Sequence, residues 1–174
     1  MIDLETLDIT PSSVILSIGA VKFNGNGITQ EFYQNVCPES CKRLGMTTSQ
    51  ETIDWWNQQG EDAKKRLEDN KIDIADALKK LNEWYGETGV DTWGNGAGFD
   101  VPILEHAYRL TGIPCPWKFY MSRCYRTVNT LFGQKRVFKG VKHNALDDAK
   151  HQAESLVEIH NRFIDRHSHP EKTY

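Results

Sequence analysis

The 174-residue sequence has no long hydrophobic run, few cysteines and no excess of positive charge. No apolar stretch approaches the roughly 18 residues of a membrane span, so we expect no membrane segment. A secretory signal of basic and then apolar residues is also missing, which favours a cytoplasmic location. The formal net charge of −3 argues against nucleic-acid binding by overall charge alone. An acidic site that recruits metal ions is still compatible with a phosphate-containing ligand.

The four cysteines are Cys37, Cys41, Cys115 and Cys124. In a cytoplasmic chain we expect all four to be free thiols. A zinc site is the alternative, and it is less favoured because the spacing of the four residues is irregular.

The order of the predicted strands indicates an α/β fold. The segments "MIDLET", "VILSIGAVKF" and "QEFYQNVC" are predicted strands, and "FNGNGI" supplies a hairpin between the last two. Short strands are also predicted in "VDTWGNG" and "KFYMSRC". The pattern predicts a mixed five-stranded sheet flanked by helices, with an antiparallel three-strand meander first and parallel strands after it.

Three segments carry a helical pattern: residues 48–87 with Thr48 or Ser49 as N-cap, "DVPILEHAYRLTG" ending at Gly112, and "HNALDDAKHQAESLVEIHNRFI". The predicted core stripe of the last helix is Leu146, Ala149, Ala153, Leu156, Val157, His160, Phe163 and Ile164. With no repeat or linker in the sequence, we expect one domain over residues 1–166 and a flexible tail over 167–174.

Two carboxylates lie one residue apart in the first predicted strand. Residues i and i+2 of a strand point to the same face, so Asp3 and Glu5 are expected to be neighbours in space. Buried carboxylates at such a distance repel each other, and a cation that prefers oxygen ligands, such as Mg²⁺ or Mn²⁺, removes the repulsion. The D-x-E pattern alone is weak evidence, because many exposed strands carry it.

Two further acidic positions could belong to the same metal site, although each also has a purely structural explanation. Asp100 begins a predicted helix, where an aspartate also serves as N-cap. His143 precedes the last helix and Asp148 lies in its first turn, where the helix dipole stabilises acidic side chains. With Asp3 and Glu5, these acids provide four carboxylates, enough to neutralise two divalent cations. A cation pair roughly 3.5–4 Å apart serves in-line displacement at phosphorus, and a histidine can accept the proton of the attacking water.

Three motifs in this order resemble a known family. They are D-x-E, N-x3-F-D and H-x4-D, formed by Asp3, Glu5, Asn95, Phe99, Asp100, His143 and Asp148. Over about residues 1–160 the sequence resembles the DEDDh 3′→5′ exonucleases of the RNase H-like superfamily. The segments "TSQETIDWWNQQGEDAKKRL", "TWGNGAGFDVPILEHAY" and "CPWKFYMSRCYRTV" indicate a narrower branch: the phage exonuclease A and exodeoxyribonuclease VIII-like proteins with their bacterial exoribonuclease relatives.

The resemblance implies a catalytic role for each acidic motif. Asp3 would bridge two divalent cations, Mg²⁺ or Mn²⁺. Glu5 and Asp148 would complete the site of the ion that activates water, and Asp100 would serve the second ion. His143 would be the general base.

Several other positions are predicted to contact the substrate. The resemblance places Thr6 and Leu7 at the pocket for the 3′-terminal nucleotide, with Asn95 and Phe99 as supporting residues. Four further candidates come from the residues themselves. Trp55 and Trp56 are adjacent on a predicted helix and do not share a face, so at most one is expected to be fully buried while the other stacks on bases. Lys139 and Lys142 precede His143 in a basic stretch and are expected to contact phosphate.

The adjacent pair Asp147 and Asp148 requires a choice. If Asn144 is the N-cap, Asp147 occupies the third helical position and accepts the backbone N–H of the cap. Asp148 lies about 100° further around the helix. It also stands five positions after His143, as the motif of the resembled family requires, and adjoins the predicted core stripe, where it can face the end of the sheet that carries Asp3. We therefore expect Asp148 to be the catalytic residue.

The combined motifs predict a metal-dependent 3′→5′ exonuclease that releases nucleoside 5′-monophosphates from single-stranded 3′ ends. Two alternatives use the same fold: a nucleic-acid-binding module with weak or lost catalysis, and an endonuclease of RNase H type. The sequence does not separate DNA from RNA as substrate. A homodimer is also open, because related exonucleases include dimers.

Overall fold

Five strands form the centre of the computed structural model, which describes residues 1–86 and 89–168, with side chains through residue 164. The strands β1 (Ile2–Thr6), β2 (Ile15–Asn24) and β3 (Gly27–Asn35) form an antiparallel sheet in sequence order. The strands β4 (Thr92–Gly94) and β5 (Ser122–Cys124) pair in parallel, and β4 contacts β1. The predicted α/β fold with an antiparallel meander followed by parallel strands is confirmed, although the two groups have separate hydrogen-bond ladders.

Seven helices surround the strands within the described ranges. They are α1 (Pro38–Arg43), α2 (Gln50–Asn57), α3 (Glu61–Arg66), α4 (Ile74–Tyr85), α5 (Asp100–Thr111), α6 (Tyr125–Phe132) and α7 (Ala145–Ser168), with a 3₁₀ turn at Phe119–Met121. Ser49 caps α2 as predicted. The single helical region predicted for residues 48–87 is wrong, because Gly60 with extended φ and ψ and Asn70 with a left-handed φ of 51° divide it into three helices.

The helices form two layers around the sheet. Helices α4 and α5 pack on one face, and α6 and α7 pack on the other. The first layer buries an apolar cluster that includes Leu4, Ile18 and Leu104. The second layer buries a smaller cluster with Ala149 and Leu156 of α7. All four cysteines are free thiols.

The core stripe predicted for α7 is correct only in its first half. Ala149, Ala153 and Leu156 are buried, whereas three later positions are exposed: His160, Phe163 and Ile164. The Nδ2 of Asn161 donates to the carbonyl oxygen of Gly25 at the tip of the β2–β3 hairpin, at 3.0 Å. The last turns of α7 therefore lie beside the hairpin tip and α6, where Phe163 meets the ring of Phe132 edge-on and remains partly open to solvent.

Helix α7 runs through Ser168, so it includes the first two residues of the predicted tail at 167–174. Residues 169–174 lie outside the described residues. Within the described ranges, no helix combines the length and the apolar character needed to cross a membrane.

A glycine on β2 allows α7 to reach the sheet beside β1. Gly19 pairs with Asp3 on one side and with Tyr33 on the other, so these three positions face the same layer. A Cβ at Gly19 would lie 2.1 Å from the carbonyl carbon of Ala145. The first turn of α7 thus rests directly on the β2 backbone, which brings the acids of that turn to the acids of β1.

This contact predicts that Gly19→Ala destabilises the protein by about 1–3 kcal/mol, because the added methyl group meets backbone that cannot rotate away. Urea denaturation measures the loss. Gly60→Ala is the matched control, since a Cβ there meets nothing within 4 Å. Gly60 is the N-cap of α3, where alanine is a poorer cap but also stiffens the unfolded chain, so the net loss should stay at about 0.5 kcal/mol or less. Equal losses in the two variants would contradict the close approach.

Candidate active site

Three carboxylates meet where β1 approaches the start of α7. One oxygen from each of Asp3, Glu5 and Asp148 lies within 4.8 Å of the others. Asp3 and Glu5 are buried and Asp148 is half-buried. No cationic side chain forms an ion pair with any of them within the described part of the chain. A cluster of close oxygens with uncompensated negative charge fits a hard divalent cation.

Asp100 lies beside this cluster and joins two elements. Its carboxylate accepts the backbone N–H of Leu4 on β1 at 3.1 Å and that of Asn95, directly after β4, at 2.8 Å. Phe99 is the N-cap of α5, so the alternative that Asp100 caps the helix is wrong. The carboxylate instead connects β1 to the loop after β4, which fixes its position next to Asp3.

Burial raises the pKa of all four acids, and the charges of neighbouring cluster acids raise it further for Asp3 and Glu5. Burial is the largest cause for each of them. The pKa of Asp3 is raised well above its usual value by burial and by the charges of Asp100, Glu5 and Asp148. The pKa of Glu5 is raised to about 8 by burial and then by Asp148 and Asp100. Burial raises the pKa of Asp100 to about 6 despite its two backbone donors, and it also raises that of Asp148. The cluster therefore favours neutralisation, by protons or by metal ions.

Gln152 is a site residue that the sequence did not reveal. Its Nε2 donates to Oδ1 of Asp3 at 2.7 Å, and the side chain is buried. The position lies one helical turn after Asp148, which is the only sequence signal for it. The Oε1 of Gln152 has no partner among the described residues. A buried acceptor without a donor is costly, so a group bound at the cluster that carries a donor would satisfy it.

His143 and Asp148 are linked through the backbone. The N–H of His143 donates to Oδ2 of Asp148 at 3.0 Å, and His143 has a left-handed φ of 61°. Such a φ is uncommon outside glycine, so this bond helps to hold the turn that presents the imidazole. The charge of His143 also lowers the pKa of Asp148, although burial outweighs it.

The predicted N-cap of α7 is confirmed, and the predicted partner of Asp147 is wrong. Oδ1 of Asn144 accepts the N–H of Asp147 at 3.2 Å. Oδ2 of Asp147 accepts the N–H of Val141 at 2.9 Å rather than that of Asn144, whose N–H donates to the carbonyl oxygen of Val141. Asp147 therefore closes the loop before the helix and is not a member of the acid cluster.

The two tryptophans of α2 divide as their adjacency predicts. Trp56 is buried and its Nε1 donates to the carbonyl oxygen of Thr6 at 2.9 Å. Trp55 is 40% exposed, and its ring meets the His143 ring edge-on with centroids 4.8 Å apart. Trp55 is thus an exposed aromatic surface next to the histidine, while Trp56 is a structural support for the end of β1.

The other predicted substrate residues lie around the acids. The Thr6 hydroxyl donates to the carbonyl oxygen of Asp8 at 2.7 Å. Leu7 and Phe99 are partly buried against the core. The Asn95 carbonyl oxygen accepts from Arg126 at 3.0 Å, and the guanidinium lowers the pKa of Asp100. Arg126 is therefore the cation that the fold brings near Asp100, which the sequence alone did not indicate.

The basic loop before α7 is anchored by one arginine. Arg136 forms ion pairs with Glu154 and Glu158 of α7. Lys139 and Lys142 are exposed, and neither forms an ion pair with a carboxylate in the part of the chain that the structure describes. The two lysines that were predicted to contact phosphate remain accessible for that contact.

The family of the chain follows from a comparison with known domains. Residues 1–160 match the model of the 3′→5′ exoribonuclease Rv2179c-like domain. The chain belongs to this family. It is also similar in fold to the crystal structure of the nuclease domain of 3′hExo, a DEDDh family member, bound to rAMP. That likeness has a TM-score of 0.58 at 19% identity and covers 94% of this chain and 90% of the other. No curated protein matches the sequence. The description of the family supports a nuclease activity.

The raised pKa of Glu5 predicts how stability depends on pH when a chelator removes metal. The folded protein keeps a proton on Glu5 up to about pH 8, whereas the unfolded chain releases it near 4.5. The unfolded state thus binds fewer protons between these values, so the free energy of unfolding falls as pH rises through this window.

Thermal unfolding from pH 4.5 to 8.5 in EDTA tests this dependence. Glu5→Gln should flatten the decline of the melting temperature with pH. In a second series without EDTA, added Mg²⁺ or Mn²⁺ should raise the melting temperature most at the alkaline end, because cations bind the folded state. An unchanged pH dependence in Glu5→Gln would contradict the assignment.

Proposed function

We propose that this nuclease is a metal-dependent 3′→5′ exonuclease that releases nucleoside 5′-monophosphates from single-stranded 3′ ends. The observation that carries the proposal is the cluster of Asp3, Glu5 and Asp148, with His143 bonded to Asp148 through its backbone. The description of the family as exoribonuclease-like and the rAMP bound to the similar structure favour RNA over DNA as the substrate.

The acids are proposed to hold two divalent cations, Mg²⁺ or Mn²⁺. Asp3 interacts with the charges of all three other acids, so it would share both ions, with Glu5 and Asp148 completing the site of one ion and Asp100 that of the other. When bound, such an ion pair activates the attacking water and stabilises the leaving oxygen. Gln152 orients Asp3 by donating to one of its oxygens, which leaves the other oxygen to the cluster.

His143 is proposed to accept the proton of the attacking water. Its backbone bond to Asp148 fixes the turn, and the edge of Trp55 restricts the rotation of the imidazole. The exposed face of Trp55 is available to a base of the substrate. Thr6 and Leu7, at the end of β1, and Phe99, directly before Asp100, are proposed to hold the terminal nucleotide.

Digestion of 5′-labelled RNA and DNA oligonucleotides of one sequence tests the proposal. We expect a ladder that shortens by one nucleotide from the 3′ end, faster for RNA, and no reaction in EDTA. Internal fragments as the first products would instead show an endonuclease. Binding of the oligonucleotide without cleavage in Mg²⁺ or Mn²⁺ would show a binding module.

The adjacent pair at the start of α7 gives a matched test of the catalytic acid. Asp148→Asn should abolish cleavage and leave the metal-free stability unchanged or higher, because it removes one charge from a self-repelling cluster. Asp147→Asn keeps an oxygen for the Val141 N–H, so it should retain most activity and cost about 0.5–1 kcal/mol. Cleavage rates and urea denaturation of both variants test this difference. Loss of cleavage in Asp147→Asn with activity retained in Asp148→Asn would contradict the placement of Asp148.

A further inference from the structure

We propose that a basic groove beside the acid cluster binds the phosphate backbone of the nucleic acid whose 3′ end is cleaved. This inference rests on the proposed function and adds a second contact region to it. The groove has a volume of about 1050 Å³ and lies between β3, α3 and the loop that follows α3. Its charged lining residues are Asp62, Lys65, Arg66, Asp69, Lys71 and Lys80.

The charge of the basic groove is opposite to that of the whole chain. Four cations face two carboxylates in the groove, whereas the chain carries a net charge of −3. Lys65, Arg66 and Lys71 are exposed, and none of them forms an ion pair with a carboxylate within residues 1–86 and 89–168. Unpaired cations in a concave surface attract phosphate and bind it without reading sequence.

Buried amides at the end of β3 hold the backbone of the basic groove in place. Nδ2 of Asn35 donates to the carbonyl oxygens of Arg66 at 2.7 Å and Asp69 at 2.8 Å. Nε2 of Gln34 donates to the carbonyl oxygen of Asn70 at 2.7 Å, and both amide side chains are buried. The segment that carries the cations is therefore anchored to the sheet, unlike a loop whose lysines project freely into solvent.

The strand register connects the basic groove to the acid cluster. Glu5 pairs with Ser17, which pairs with Asn35, so these residues form one row on one face of the sheet. Two strand spacings of about 4.8 Å separate the ends of such a row, so the groove begins about 10 Å from the acids. Val141, two residues before His143, also lines the groove. A strand bound at the acid cluster needs only a few nucleotides to reach it.

A charge-reversal pair tests the basic groove against a short and a long substrate. Lys65→Glu with Lys71→Glu should raise KM for a 12-nucleotide RNA roughly tenfold at 50 mM salt, leave kcat unchanged, and lower the salt slope of binding by about 1.4. A dinucleotide is too short to span both regions, so its kcat/KM should stay within about twofold. The matched control, Lys79→Glu with Lys118→Glu, changes the net charge equally outside the groove and should affect neither substrate.

Equilibrium binding of the same 12-nucleotide RNA in EDTA separates this inference from the proposed function. If the wild-type protein cleaves RNA but all three proteins bind the 12-mer equally, the groove inference is wrong and the exonuclease stands. If the wild type does not cleave but the groove variant alone loses binding, the groove stands and the exonuclease is wrong. Equal losses for the dinucleotide and the 12-mer, or in both charge-reversal pairs, would also overturn the groove.

Discussion

Repulsion among buried carboxylates is the constraint on which the site depends. One oxygen from each of Asp3, Glu5 and Asp148 lies within 4.8 Å of the others, and burial removes most of the water that would screen the charges of Asp3 and Glu5. Close buried carboxylates lower the stability of the folded state unless protons or cations neutralise them. The fold nevertheless brings these acids to one point through several specific contacts. Protons or divalent cations bound at the cluster would offset the loss of stability.

Those contacts come from three separate parts of the chain. The absence of a side chain at Gly19 lets the first turn of α7 rest on β2 and delivers Asp148 to β1. Gln152 holds Asp3 from the same helix, and Asp100 accepts two backbone donors that join β1 to the loop after β4. Together these contacts hold Asp148, Asp3 and Asp100 in place. The geometry is therefore preorganised, which is what metal binding and catalysis at a fixed point require.

The sequence indicated the acids that the structure brings together, because D-x-E places Asp3 and Glu5 on one face of a strand and the family resemblance adds Asp148 to them. The strand order was also predictable from hydrophobic alternation and turn residues. Gln152, Arg126 and the basic groove were not, since their contacts join residues that are far apart in the chain. Helix α1, with six residues, is too short to show a period. The exposure of positions near the end of α7 depends on which elements pack beside the helix, which no pattern within the helix encodes.

Proton release on metal binding tests the central claim most directly. Because Glu5 has a pKa of about 8 and that of Asp3 is raised well above its usual value, the metal-free cluster holds protons at pH 7. A cation must displace them. Calorimetric titration with Mn²⁺ in buffers of different ionisation enthalpy should show release of about one proton or more per chain at pH 7, falling as pH rises above 8. Binding whose heat does not depend on the buffer would contradict the account.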